Sequence, residues 1–410
     1  MSSQAQPKVV SAPSRKVAQH VIEIWQWGGP CQLETFDPKP DAPLDYNNGL
    51  KSIKTNAGFD IHEWCPMLAQ CADLFSVVRT LTHPFPGHEK ATYIMQTGRK
   101  AGGGVTYPAL GAIVASTKAK DYAGDLPPFV ILTQAKGRFS EVGFLGDAYA
   151  PLVTGGDPNA PKFIVDGIVP PGGLSKEQLA ERFARCERVN RVAVDSDFDK
   201  AGLEARRIIE GPAAETFDLS REDQKVRERY GRTRIGQQLL SARRLVEYGV
   251  PYVSVNYNGW DSHKKHFETM KRPTHEMDQA VSALLTDLKE KNLLDTTVVW
   301  MCGEFGRVPK IDRQAPWNGG RNHFPRCFSA LVAGGGFKGG QVVGVSDETT
   351  DHVKERPVTP VDFLGSICEL AGIDPDDRLP NQMWLKEYGS VMDSDPKARS
   401  PQGRLKEIYA

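Results

Sequence analysis

The chain has 410 residues, of which 40% are hydrophobic and 25% charged, so it is long enough for a large core and is neither disordered nor fibrous. Its 51 basic residues balance 51 acidic residues, which excludes a global field that would attract nucleic acid or an anionic membrane. Seven cysteines without a CxxC pair exclude a zinc ribbon or a redox dithiol, and they are typical of reduced core thiols.

The ends of the chain carry no targeting or spanning signal. Residues 1–18 contain no apolar segment, and no run of about 18 apolar residues follows anywhere. The sequence therefore predicts a cytoplasmic protein with neither a membrane nor a nucleic acid as partner. We expect a flexible tail at 1–18, one domain at 19–395, and a C-terminal tail at 396–410.

Strand and helix patterns alternate through the first half of the chain. The β-rich stretch His20–Trp27 is followed by a predicted helix at 63–74 and a strand at 74–81. Helices at 88–96 and 108–119 and a strand at 129–134 come next. The region of about 140–250 is predicted to be loop and helix, and it ends in an amphipathic helix that stops at Gly249.

The alternation resumes in the second half. Strands are predicted at 251–257, 296–303, 327–336 and 341–345, and helices at about 274–294 and from Thr359, a candidate N-cap. The glycines at 334–339 have dinucleotide-fingerprint spacing but lead into a strand, so we interpret them as a glycine hairpin. The pattern predicts an α/β fold: a mostly parallel central sheet, helices on both faces, and an inserted helical middle region.

Polar side chains follow the predicted strands, where open α/β sheets bind ligands. Each one alone could be a surface residue or a helix cap, but the fold would bring their loops together. In chain order they are Cys31, Glu34, Asp37, His83, His88, Asp261, His263, His266, Glu304, Arg307, Arg321, Asn322 and His323.

Carboxylates and neutral imidazoles are the ligands that Zn²⁺, Mn²⁺ or a similar divalent ion binds. Two such ions could clamp the attacking and leaving oxygens of a displacement at phosphorus or sulfur. Arg307 or Arg321 could bind the oxygens of a tetrahedral anion with two parallel hydrogen bonds. These residues indicate chemistry on an anionic ester.

Six stretches, taken in order, resemble a bacterial domain-of-unknown-function family that is abundant in planctomycetes, DUF1501. They are GGPCQLETFDPKP, TLTHPFPGHEKATYIMQTGR, NGWDSHKKHF, EFGRVPK, GGRNHFP and AGGGFKGGQVVGVSDE. The resemblance extends from His20 to about Gly372. This family in turn resembles a distant branch of the alkaline phosphatase and sulfatase superfamily. That implies an alkaline-phosphatase-like α/β sandwich binding one or two divalent metal ions.

The resemblance also implies a ligand set. One metal site would use Asp261, His263 and His323. A second site would use Glu34 or Asp37 together with Glu304.

The chain departs from the family pattern at several of these positions. Cys31 stands where the family usually has Ser, and Glu34 and Asn322 stand where it has Asp. Glu304 is followed by Phe305, where the superfamily places a histidine ligand. These departures leave the second site incomplete.

The stretch PFPGHEKATYIMQTGR at 84–99 resembles the sulfatase segment that ends in Thr-Gly-Arg. Sulfatases place the Cys or Ser that becomes formylglycine nine residues before that Thr, and here His88 occupies the position. The alignment excludes formylglycine chemistry. His88 could be a nucleophile, a general acid/base or a metal ligand, or only a residue at a helix start.

These patterns predict a metal-dependent hydrolase of phosphate or sulfate esters, acting on a small-molecule or glycan ester. The candidate catalytic residues are His88, Arg307, Arg321 and Cys31. One alternative is a non-catalytic, degenerate sulfatase-like scaffold that binds a sulfated or phosphorylated glycan or a protein partner. A phosphomutase or transferase on the same scaffold is another.

Overall fold

The structure, a computed structural model, describes residues 17–135, 141–161, 163–165, 168, 176–190, 206–209, 211–378 and 390–410. The strands in these ranges are β1 (His20–Trp27), β2 (Ser52–Lys54), β3 (Asp60–His62), β4 (Phe75–Leu81), β5 (Phe129–Leu132), β6 (Leu152–Val153), β7 (Tyr252–Asn258), β8 (Thr297–Cys302), β9 (Gly306–Arg307), β10 (His323–Phe324), β11 (Phe328–Ala333), β12 (Val342–Val343), β13 (Val345–Ser346) and β14 (Val353–Glu355). The helices are α1 (Leu44–Asn47), α2 (Pro66–Gln70), α3 (His88–Thr97), α4 (Leu110–Lys118), α5 (Lys176–Asn190), α6 (Ala213–Thr216), α7 (Gln224–Arg229), α8 (Arg234–Tyr248), α9 (His266–Glu290) and α10 (Pro360–Leu370).

Eight of these strands form the central sheet, in the order β12-β4-β11-β8-β1-β7-β5-β6. Neighbouring strands are parallel except around β11, which runs antiparallel to both β4 and β8. The mostly parallel α/β architecture predicted from the sequence is confirmed. The reversal of β11 has no signal in the hydrophobic pattern, because strand direction leaves the period of two unchanged.

Both faces of the sheet are buried, and β1 shows how. Its Ile22 and Ile24 contribute to one hydrophobic core, which contains residues of α8 and α9. Val21 and Trp25 contribute to the other, which contains residues of α3, α4 and α10. Successive strand residues point to opposite faces, so a continuous apolar run is what a strand between two helix layers requires. The prediction of helices on both faces is confirmed.

Several helix ends agree with the predicted signals. The Thr359 side chain accepts a hydrogen bond from the Asp362 backbone N–H at the start of α10, and Gly249 ends α8 with a left-handed φ of 110°. The predicted start of α9 at about 274 is wrong, because the helix begins at His266 and continues through Pro273. Proline lacks an N–H and usually marks a helix start, which is why the pattern misplaced this boundary.

The glycine-rich stretch at 334–339 does not form a hairpin, so that interpretation was wrong. β11 and β12 both pair with β4, on its opposite sides, and not with each other. The glycines cross the end of β4 closely, since a Cβ at Gly339 would lie 1.9 Å from the Asp73 carbonyl oxygen. The stretch is a tight crossover and not a dinucleotide-binding loop.

The last residues pack on the body of the protein. Leu405 and Ile408 are buried, and the Leu405 backbone N–H donates to the Ser366 hydroxyl at 2.9 Å. The stretch expected to be a C-terminal tail at 396–410 is therefore part of the packed structure. The expected N-terminal tail lies outside the described residues up to residue 16, while Ala18 is buried.

The cysteines fit the sequence-based expectation of core thiols. Those whose side chains the structure describes are all free thiols. The buried ones are Cys31, Cys65, Cys302, Cys327 and Cys368. Within the described residues, no helix is both long and apolar enough to cross a membrane.

Glu23 is a buried acid in the middle of β1, and it provides a stability test. Its carboxylate accepts hydrogen bonds from Gln96 Nε2 at 2.6 Å and from the Tyr252 hydroxyl at 2.9 Å. Burial raises the pKa of Glu23 to about 7 from an ordinary 4.5. Between those values the folded protein holds a proton that the unfolded chain releases, so the free energy of unfolding falls as pH rises through this window.

We expect Glu23→Gln, which stays neutral, to be more stable than the wild type by about 2 kcal/mol near pH 8 and about equally stable near pH 5. Urea denaturation at the two pH values measures the difference. Glu89→Gln, at an exposed position on α3, serves as the control and should follow the wild type. A Glu23→Gln difference that is the same at both pH values would show that the titration of Glu23 is not responsible.

Candidate metal centre

Three parallel strands end side by side and deliver the first site residues. β1 lies between β7 and β8, with Trp27 opposite Asn258 and Trp25 opposite Cys302. The chain then turns tightly at Gly28, which has a φ of 105°, and a Cβ there would lie 2.3 Å from the Asp261 backbone nitrogen. Only glycine permits this approach. The loop after β7 is thereby packed directly against the end of β1.

Asp261 is the centre of a half-exposed cluster. Its Oδ1 atom lies 3.0 Å from Nε2 of His263 and 3.1 Å from Nε2 of His323. These two Nε2 atoms are 3.0 Å apart, and Oδ2 lies 3.4 Å from Nε2 of His88. The structure thus brings together Asp261, His263 and His323, as the sequence predicted, and adds His88.

The outer ring nitrogens of two of these histidines show where their protons are. Nδ1 of His323 lies 2.8 Å from the Pro86 carbonyl oxygen, which can only accept, so this nitrogen carries the proton. Nδ1 of His263 donates to the Asn322 side-chain oxygen at 2.9 Å. In the neutral tautomers, each Nε2 therefore directs a lone pair toward Asp261. Converging lone pairs at 3.0 Å repel each other unless a proton or a cation lies between them.

The residues present fit a divalent metal ion. Carboxylate and imidazole Nε2 donors are typical ligands of Zn²⁺ and similar ions, and a ligating histidine usually donates its other N–H to a carbonyl. Ligand atoms of His88, Asp261 and His323 all lie within 4.8 Å of one another. The donor set supports one metal site here.

His88 is oriented by a buried carboxylate. Its Nδ1 lies 2.6 Å from Oε1 of Glu304, which is fully buried and also accepts the Gly28 backbone N–H at 3.0 Å. The Glu304 hydrogen bond raises the pKa of His88 from its ordinary value, against the opposing effect of partial burial. The cap of α3 is Gly87. His88 therefore belongs to the Asp261 cluster and is more than a residue at a helix start.

A second cluster, fully buried, contains Cys31, Glu34, His266 and Arg321. Glu34 accepts from Arg321 Nη2 at 2.7 Å and from His266 Nε2 at 3.0 Å. Burial opposes its ionisation, but Arg321 and His266 hold the pKa of Glu34 well below its usual range. Burial raises the pKa of the Cys31 thiol far above its ordinary value. Cys31 is thus a protonated core thiol, which does not suit the catalytic role that the sequence suggested.

The guanidinium groups of both arginines donate hydrogen bonds to other groups of the protein. The buried Arg307 guanidinium donates to the Gly29 carbonyl at 3.1 Å, to the Arg321 carbonyl at 3.2 Å, and also to Asp261 and the Gly28 carbonyl. Arg321 donates to Glu34 and to backbone carbonyls. The expectation that either presents a free guanidinium to a substrate is not met.

Asp37 lies outside both clusters. It is buried, 3.0 Å from Lys39 Nζ and 3.5 Å from Arg79 Nε, and it accepts the Ser346 hydroxyl. Asp37 stabilises the loop after β1 through ion pairs with these two side chains. The ligand pairing of Glu34 or Asp37 with Glu304, implied by the resemblance, is therefore not formed.

Two site residues had weaker signals in the sequence. His266 follows Asp261 closely, but the predicted helix began too late to show that it is the first residue of α9. The Pro86 carbonyl, which fixes His323, is a backbone atom that any residue would supply.

His83 is buried and its Nε2 lies 2.6 Å from the Glu304 carbonyl oxygen. It supports the Glu304 backbone without joining the cluster.

The chain matches a known protein family over most of its length. The family described as "Protein of unknown function (DUF1501)" matches residues 18–383. The chain belongs to the DUF1501 family. A search of curated proteins found no match.

Solved structures similar to this DUF1501 protein share little sequence with it. BT1596, a 2-O GAG sulfatase, is 8% identical with a TM-score of 0.43, and the match covers 87% of this chain and 71% of that one. Phosphonate monoester hydrolase SpPMH from Silicibacter pomeroyi is 11% identical, with a TM-score of 0.39 and coverage of 87% and 74%. Alkaline phosphatase from the Antarctic bacterium TAB5 is 9% identical, with a TM-score of 0.35 and coverage of 80% and 95%. At these values, function has to be inferred from the side chains of this chain.

Proposed function

We propose that this protein is a metal-dependent hydrolase of phosphate or sulfate esters. One observation carries the proposal. The Nε2 atoms of His263 and His323 converge within 3.0–3.1 Å of Asp261 Oδ1, while their Nδ1–H groups are bound to oxygen acceptors. This is how a protein prepares ligands for a divalent ion. The three residues remain partly exposed, so a substrate can reach them.

A divalent ion bound by Asp261, His263 and His323 would supply Lewis-acid polarisation of the ester P–O or S–O bond. His88 would move the proton. Because Glu304 accepts its Nδ1–H, the Nε2 lone pair can take a proton from an attacking water. The water oxygen then bonds to phosphorus or sulfur, the ester bond breaks, and His88 returns the proton to the leaving oxygen.

The buried arginines assist this chemistry only indirectly. Arg307 contacts Asp261 Oδ1 and two glycine carbonyls, so it holds the carboxylate in place at the end of β1. With histidine at position 88, formylglycine cannot form there. The proposal therefore requires a water nucleophile and histidine-mediated proton transfer.

We expect the purified protein to contain a near-stoichiometric divalent metal and to hydrolyse aryl phosphate or aryl sulfate esters. Asp261→Ala/His323→Ala should lose both the metal and the turnover, because two of the three ligands are removed. Elemental analysis and a chromogenic assay on the same preparations measure this. Asp45→Ala/His275→Ala removes the same residue types from exposed positions and should keep both properties.

Metal-free wild type, with a thermal midpoint that does not change on chelation, would refute the proposal. Bound metal without turnover of either ester would favour the non-catalytic scaffold, which binds a sulfated or phosphorylated glycan. Transfer of the group to an added alcohol, in place of water, would indicate the transferase alternative. These results therefore distinguish the hydrolase from the non-catalytic scaffold and from the transferase.

A further inference from the structure

Glu34 is one buried carboxylate that contacts both loops carrying the metal ligands. The first ligand loop, residues 259–265, joins β7 to α9 and carries Asp261 and His263. The second ligand loop, residues 308–322, joins β9 to β10 and leads directly to His323. Glu34 Oε2 lies 3.0 Å from His266 Nε2, at the end of the first loop. Its Oε1 lies 2.7 Å from Arg321 Nη2, in the second loop.

On the side of the first ligand loop, the contact continues to the ligands themselves. His266 Nε2–H donates to Glu34, so Nδ1 of the neutral ring accepts the Ser262 hydroxyl at 2.6 Å. Ser262 lies between Asp261 and His263 in the chain. The orientation of both ligands is therefore linked to Glu34 through one imidazole ring that is only 1% exposed.

On the side of the second ligand loop, Arg321 closes the loop on itself. Its Nη1 donates to the Val308 carbonyl at 3.1 Å and also to the Pro309 carbonyl, which joins the two ends of the loop. The Arg321 backbone N–H donates to the Ser262 carbonyl at 3.3 Å. His323 follows two residues later, so the hydrogen bonds of the Arg321 guanidinium determine where the chain enters the His323 position.

The two ligand loops also touch each other. The His266 backbone N–H donates to the Gly319 carbonyl at 3.0 Å, and the Lys265 backbone N–H donates to the Trp317 carbonyl at 3.1 Å. A Cβ at Gly320 would lie 1.8 Å from the His263 carbonyl oxygen. A displacement of one loop would therefore move the other.

Glu34, Cys31 and His266 have donor types that also bind metals, but their hydrogen bonds are already complete. Arg321 and His266 engage the Glu34 oxygens, Ser262 engages the other nitrogen of His266, and the Cys31 thiol is hydrogen bonded to Glu34. The positive charge of Arg321 balances the negative charge of Glu34. Glu34, Cys31 and His266 therefore act as a support and do not present free ligand atoms.

We propose that Glu34 is a positioning residue: by binding His266 and Arg321 at once, it sets the separation of the two ligand loops. That separation determines the distance from Asp261 and His263, on the first loop, to the Nε2 atom of His323, which follows the second loop. The inference rests on the proposed function for the consequence that metal binding depends on Glu34. The link between Glu34 and the two loops can be tested without metal.

Glu34→Gln tests the inference. The glutamine amide is uncharged, so its hydrogen bond to Arg321 is weaker than that of the carboxylate, and His266 can accept from its NH₂ group only if the ring exchanges tautomers and the hydrogen bond with Ser262 reverses. We expect the affinity for Zn²⁺ or Mn²⁺, measured by competition with a chelator, to fall by about 10–100-fold. Hydrogen exchange of the metal-free protein should be at least about tenfold faster at amides of both ligand loops, and unchanged in β1 and β8.

Glu222→Gln is the matched control. Glu222 also divides its two oxygens between two partners, at 2.6 Å from Arg243 and 2.5 Å from Arg244, and both arginines lie on α8. It should lose stability without changing metal affinity or exchange in the ligand loops. If Glu34→Gln does not fold, Glu34→Asp replaces it, because a side chain shorter by one methylene can reach only one of its two partners.

Unchanged affinity together with unchanged loop exchange would overturn the inference. Uniformly faster exchange across the protein would also overturn it, since Glu34 would then only stabilise the fold. If the wild type binds no metal, the proposed function fails and the exchange experiment decides alone. Faster exchange confined to the two ligand loops would then support the positioning role, and no change would refute it.

Discussion

We expect His88→Ala to lower kcat for ester hydrolysis by about 10²–10⁴-fold, the range over which a positioned general acid/base contributes. The bound metal should remain, because Asp261, His263 and His323 contact one another without His88. The buried Glu304 would lose the partner that lies 2.6 Å away. Steady-state kinetics and elemental analysis of one preparation measure both properties.

The matched control is His275→Ala on the exposed side of α9, where the ring contacts the Lys271 carbonyl of the preceding turn. It should behave like the wild type. A His88→Ala protein that has lost its metal would identify His88 as a ligand, in keeping with its 3.4 Å distance to Asp261. Wild-type kcat in His88→Ala would remove His88 from the chemistry.

The part of the site that the sequence predicted depends on a general property of parallel sheets. Asp261 and Glu304 each follow a buried strand, and neighbouring parallel strands end at the same edge. Their proximity could therefore be expected before any loop conformation was known. His323 was implied by the family resemblance and not by this reasoning: it precedes β11, which begins at that edge only because it runs antiparallel to its neighbours.

Backbone geometry accounts for what the sequence could not predict. Arg307 and Arg321 have side chains suited to a substrate anion, but backbone carbonyls surround them. Two of these carbonyls belong to Gly28 and Gly29, whose φ values are 105° and 78°. Sequence patterns report the side chains present and not the direction of loop carbonyls. A guanidinium that structures a loop therefore cannot be distinguished from one that binds a ligand.

Glu34 and Asp37 illustrate the same limit for carboxylates. Both follow β1 and are buried, and the sequence does not favour one over the other as a metal ligand. The outcome depends on which cations reach them: Arg321 and His266 for Glu34, and Lys39 and Arg79 for Asp37. Lys39 is two residues from Asp37, but Arg321, His266 and Arg79 are distant in the sequence from the carboxylates that they contact, and no sequence pattern links them. Their pairing follows only from how the loops close.

The largest effect on stability is expected from Arg307→Met. The substitution preserves much of the volume but removes a buried cation, leaving the Asp261 carboxylate and the Gly28 and Gly29 carbonyls without their donor. Arg307 is fully buried but Asp261 is 38% exposed, so water stabilises part of the carboxylate charge and the cost is about 2–3 kcal/mol, below that of a fully buried ion pair. We expect a loss of that size in the free energy of unfolding, measured by urea denaturation of the metal-free protein.

Arg326→Met, at an exposed position three residues after His323, provides the comparison and should change the free energy of unfolding by less than about 0.5 kcal/mol. Arg307→Lys should fall between the two, because a lysine keeps the charge but cannot reach several carbonyls with a planar fork. A loss below about 1 kcal/mol in Arg307→Met would mean that water enters and replaces the guanidinium. Asp261 would then be held by its histidines alone, and Arg307 would have no structural role in the metal centre.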